Sequence, residues 1–148
     1  MKWVTRRGIK VNRAATAWLI RTFVDDKAVF VFVEAAEVAS YQKRKGAAGF
    51  DAPGATYPTR DDKGRCSFEA LVDEHRPTDH ALRALARIVH AAELGDDVDQ
   101  PVLEASGLRA ISDGAAIIAK SDDEIVERTA FLFDALYASL QDRTVEDG

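Results

Sequence analysis

Strand-like runs are confined to the first third of the chain, and the sequence from Cys66 onward carries helical periodicity. That order constrains the fold more than any single motif. Two or three early strands followed by a long helical remainder imply an α+β fold, mainly helical, with a small sheet near the N-terminus rather than a doubly wound sheet. Residues 2–5 read as a short strand. Val29-Phe30-Val31-Phe32-Val33 is continuous, β-branched and aromatic, which suits the covered centre of the sheet. Between them, Asn12 is expected to cap a helix over residues 13–24, with Ala15, Trp18, Leu19, Thr22 and Phe23 on its apolar face. Residues 34–45 form a short helix closed by Gly46, and residues 50–63, with Pro53, Gly54 and Pro58, form a long loop.

The later helices announce themselves by their caps. Ser67 is read as the cap of a helix burying Phe68, Leu71 and Val72, and Thr78 as the cap of one burying Leu82, Leu85, Ala86, Val89 and Ala92 as far as Gly95. Pro101 opens another that reaches about Lys120 and is expected to bury Leu108, Ile111, Ala115 and Ile118. Ser121-Asp122-Asp123-Glu124 is a capping box for the last helix, with Ile125, Thr129, Leu132, Leu136 and Leu140 inward. Residues 143–148 are polar and expected to fray. Trp3, Trp18 and Tyr137 read as core, whereas Asp134 falls opposite the buried stripe and reads as solvated.

The 148 residues, 47% hydrophobic and 30% charged, suit one globular domain spanning 1–148. The longest apolar stretch, residues 28–33, is far short of the ~20 residues of a membrane span, and the first seven residues lack the apolar centre of a secretory signal. A cytoplasmic location is expected. Cys66 is the lone cysteine, which removes internal disulfides and zinc fingers from consideration. A net charge of −5 argues against direct nucleic-acid binding. Nucleotide-loop glycine spacings, a Gly-x-Ser-x-Gly elbow and a His-Glu-x-x-His helix are all missing.

Three features could carry chemistry. Arg6, Arg7, Lys10, Arg13 and Arg21 crowd the N-terminus with no acid before Asp25, so they form either a solvated basic face or a convergent oxyanion site. Cys66, just before a helix start, is either a small buried hydrophobe or a thiol under the influence of the helix dipole, although Glu69 repels an anion there. His90 and Glu93 are three apart on one helix, with Glu93 roughly 40° and His90 roughly 100° from the buried stripe. They could share a metal ion, or Glu93 could pair with a neighbouring helix. His75 and His80 sit near helix ends and carry no evident role.

Taken in order, Trp3-Val4-Thr5-Arg6, Lys10-Val11-Asn12-Arg13, Trp18-Leu19-Ile20-Arg21, Phe50-Asp51, Cys66-Ser67-Phe68-Glu69, residues 85–93, Gly107-Leu108 and Asp134-Ala135-Leu136-Tyr137 form a pattern. It resembles the C-terminal domain of the chromate-resistance regulator (B-type) family over nearly the whole chain. The resemblance implies a bacterial domain linked to chromate sensing or resistance. Asn12, Thr16-Ala17 and Tyr57-Pro58-Thr59-Arg60 stand where that family usually has an aspartate, a Cys-Pro pair and a histidine. Because the arginines remain, the comparison favours an anion over a metal.

The leading expectation is therefore a domain binding a small, chromate-like oxyanion through Arg6, Arg13 and Arg21, with Cys66 and Ser67 at the pocket and the 50–63 loop reordering on binding. The alternative is a metal-dependent enzyme holding a divalent ion with His90, Glu93 and Asp51. A third is an interaction module whose arginines meet an acidic protein. A homodimer is compatible with each.

Overall fold

The computed structural model describes residues 1–95 and 101–147, with side chains through Arg143. The chain runs β1 (Lys2–Arg6), α1 (Val11–Leu19), β2 (Val29–Val33), α2 (Val38–Lys45), β3 (Ala48–Gly49), α3 (Ser67–His75), α4 (His80–Leu94), α5 (Leu103–Ile118) and α6 (Asp122–Asp147). The α+β, mainly helical expectation holds, with the small sheet near the N-terminus.

All strand pairing is parallel, in the order β2-β1-β3, with Lys2 opposite Val29, Arg6 opposite Val33 and Val4 opposite Gly49. The central strand is thus β1, not the Val29–Val33 run. That run lies at an edge, where Val29 is 55% exposed. Its apolar residues still serve both faces, because side chains alternate along a strand. Trp3 and Phe30 join the main core beneath α1, α3 and α4, whereas Val4, Val31 and Val33 join a smaller cluster with Val38 and Tyr41 of α2. Gly49 permits α2 to lie close: a Cβ there would stand 2.1 Å from the Gln42 side-chain oxygen.

Helix α1 starts at Val11 rather than after an Asn12 cap, and beyond Leu19 it widens into a π-turn over Ile20–Val24. The wider turn changes the direction of every side chain that follows. Helix α3 is capped by Cys66 and α4 by Asp79, whose carboxylate accepts from the Leu82 N–H at 2.9 Å, so each cap falls one residue from the expected Ser67 and Thr78. Ser121 Oγ accepts from the Glu124 N–H at 3.1 Å as anticipated, while the Glu124 carboxylate turns back to the Lys120 N–H at 2.7 Å.

Burial on α5 departs most from expectation. Ala105 and Leu108 are buried, but Ile111, Ile117 and Ile118 are 51%, 83% and 70% exposed. The second half of α5 instead lines open clefts with Ile125 and Thr129 of α6 and leaves its isoleucines largely exposed. Helix α6 buries Ile125, Val126, Phe133 and Leu140 and continues to Asp147, through residues read as a frayed tail. Gly148 lies outside the described residues.

Candidate functional site

The carboxyl ends of the parallel strands gather the first charged group. Arg6 ends β1, Asp51 follows β3, and Arg13 sits in the first turn of α1. Arg13 Nη1 donates to Asp51 Oδ2 at 3.1 Å, its Nη2 donates to the Gly8 carbonyl, and Arg6 Nη2 stands 3.6 Å from Asp51 Oδ1. Asp51 and Arg13 are buried, so each charge depends on the other. Burial pulls the Arg13 pKa down while Asp51 opposes it, and Glu93 and Asp122 add weaker support to the cation. Asp51 adopts φ +52°, a left-handed conformation that a short polar residue tolerates. The Nε atoms of Arg6 and Arg13 are buried and meet no acceptor among the described residues.

Ser67 is occupied nearby. Its Oγ receives the Asn12 amide at 2.9 Å and lies 3.0 Å from Thr16 Oγ1, a buried polar knot joining α1 to α3. Arg21 is not brought to this group. Set by the π-turn, its guanidinium lies 4.7 Å from the Phe30 ring centroid and 2.8 Å from Glu127 of α6. The proposed convergence thus gathers Arg6 and Arg13, around Asp51, and leaves Arg21 elsewhere.

The His90, Glu93 and Asp51 trio is likewise separated. His90 Nδ1 meets Glu69 Oε1 of α3 at 2.5 Å, whereas Glu93 lines a cavity of about 140 Å³ with Lys10, Arg109 and Asp113. Glu69 Oε1 also accepts from the Cys66 N–H at 3.0 Å. Burial pushes the Cys66 thiol up, reinforced by the Glu69 charge and opposed by the Phe68 and Glu69 N–H groups. A fully buried thiol held protonated is a poor reductant toward a dissolved oxidant.

A wide open space lies elsewhere, between α3, α4 and α6. It is a cleft of about 880 Å³ lined by Arg65, Arg83, Arg87 and Arg143 together with Glu69 and Asp73. Four guanidinium groups face two lining carboxylates, and Asp61, outside the lining, also meets Arg65 at 2.8 Å. Arg65 contacts Asp73 at 2.9 Å, Arg83 contacts it at 3.4 Å, and Arg143 reaches Glu104 at 2.9 Å. Arg87 has no hydrogen-bond or ion-pair partner among the described residues. None of these four arginines stood out in the sequence, because they come from separate segments. Only the Arg83 and Arg87 pair, four apart on α4, gave a local sign of a shared basic face.

The fold and site together define a small α+β domain with an arginine-lined cleft beside a thiol, carboxylate and imidazole cluster. Residues 3–140 match the family model described as "ChrB, C-terminal domain", and the chain belongs to that family. This agrees with the resemblance carried by the sequence blocks. Protein ChrB of Cupriavidus metallidurans is 36% identical over 137 residues, which cover 92% of this chain and 40% of that protein. No solved structure matches the chain.

Proposed function

We propose that this domain binds a small oxyanion of the chromate type in the cleft between α3, α4 and α6, as part of a chromate-resistance system. The observation that carries the reading is Arg87, a guanidinium on the cleft wall with no hydrogen-bond or ion-pair partner among the described residues, beside three further arginines. Arginine forks match tetrahedral oxyanions by paired, charge-assisted hydrogen bonds. The cleft exceeds the size of one such ion, so fixed charge rather than tight enclosure would select the ligand. Arg6 and Arg13 instead hold Asp51 and the strand ends together.

Calorimetric titration with chromate and with sulfate tests this. Hydrogen bonds to charged groups contribute about 1.5–3 kcal/mol each, so Arg87→Ala should weaken chromate binding at least about tenfold. Unchanged affinity in that variant would end the assignment. One observation favours a second location: the acceptor-free Nε atoms of Arg6 and Arg13 could meet an anion at the strand ends. That reading requires Arg6→Ala, and not Arg87→Ala, to abolish binding.

A further inference from the structure

Cys66, Glu69 and His90 meet on the wall between α3 and α4. One sulfur, carboxylate-oxygen or ring-nitrogen atom from each lies within 4.8 Å of the other two, and the thiol is buried while the other two residues are partly exposed. Glu69 closes the α3 capping box by accepting from the Cys66 N–H, a role that requires neither the sulfur nor the imidazole. Cys66 occupies the N-cap of α3, where serine, threonine, aspartate or asparagine accept the helix N–H groups better than sulfur does. A buried thiol that only filled space would not need an imidazole beside it.

We propose that Cys66 Sγ, a Glu69 carboxylate oxygen and a His90 ring nitrogen form a site for a divalent metal ion of the zinc type. The inference stands apart from the oxyanion reading and uses none of the four cleft arginines. Thiolate, imidazole and carboxylate are the ligands such borderline ions take. Metal-to-ligand distances of about 2.0–2.3 Å place tetrahedral ligand atoms roughly 3.4–3.7 Å apart. The trio approaches this spacing, and the His90 to Glu69 contact, 2.5 Å, opens by about 1 Å as the ion enters and the proton between them leaves to solvent. Binding converts the Cys66 thiol to thiolate and releases its proton to solvent, so the cation supplies the compensation that burial otherwise denies. Glu69 also lines the arginine cleft, so a three-ligand ion there keeps its fourth position toward open space. Such an open position is the mark of a site that binds an exchangeable ligand rather than of a purely structural one.

Cobalt(II) added to the chelator-treated, reduced chain in a buffer without oxyanions provides the test. One equivalent should produce a near-ultraviolet thiolate-to-cobalt charge-transfer band and the visible bands of a tetrahedral ion, and zinc(II) should bleach both. Cys66→Ser, which supplies an N-cap oxygen in place of the sulfur and so keeps the fold, should abolish the charge-transfer band. His90→Gln should weaken binding by more than the ~10–100-fold that loss of an outer-shell partner costs, whereas His75→Gln should leave it unchanged. Absence of the charge-transfer band in the unaltered protein would overturn the site, as would binding that Cys66→Ser does not affect. Neither result bears on chromate affinity at Arg87, so the two readings fail separately.

Discussion

Asp51 is the main compensation for the buried charge of Arg13, and the pair fastens the end of β1 to α1 and to the segment after β3. Removing one member strands the other. Asp51→Asn should therefore destabilise the protein by about 3–5 kcal/mol, measurable by urea unfolding. A loss below about 1 kcal/mol would show that the pair is solvated. Asp25 behaves differently, since it works at the surface. The Trp3 indole N–H, 3.0 Å away, leads the interactions that hold its carboxyl below the usual aspartate range. An acid with a depressed folded-state pKa contributes stability above its ordinary value of about 3.9 and loses that contribution as pH falls through the folded value. Asp25→Asn should flatten the decline in urea midpoint below about pH 4, and an unchanged acid profile would contradict this. Legibility at this scale was uneven. A helix start at Cys66 followed from its neighbours, but its pairing with Glu69 and His90 did not, because 21 residues separate Glu69 from His90. Asp134 fell opposite the apolar stripe, yet its carboxylate receives the Trp18 indole N–H at 2.8 Å, a contact that depends on how α6 crosses α1.

Elements with local signals were placed well. The turn glycine Gly46 ends α2 at φ +61°, and the capping and apolar spacing of α4 marked it to within a residue or two. Sheet order was not legible, since Val29–Val33 has the composition of a central strand yet pairs on one side alone. Hydrophobicity reports capacity for burial, not the presence of a neighbour. The same reasoning applies to α5, where Ile118 continues an apolar spacing into solvent. Ile118→Ser should change stability by no more than about 0.5 kcal/mol, in contrast to a 2–5 kcal/mol loss typical of truncating a buried leucine such as Leu85. A thermal-unfolding comparison of the two variants checks the difference. A large loss at Ile118 would mean that this face is covered in solution.

For the whole molecule, the distribution of charge matters more than its sum. A net −5 chain concentrates four arginines on one cleft and locks the buried Arg13 into an ion pair. Sequence order suggested a basic N-terminal cluster as the anion site, whereas the chain brings together Arg65, Arg83, Arg87 and Arg143 from positions up to 78 residues apart. A cleft assembled over that distance leaves no contiguous motif. The most direct measurement is a crystal soaked in chromate, with the ion located by the anomalous scattering of chromium. The expected peak lies within hydrogen-bonding distance of Arg87 in the cleft. A peak confined to Arg6 and Arg13, or chromium absent from both places at saturating chromate, would contradict the assignment.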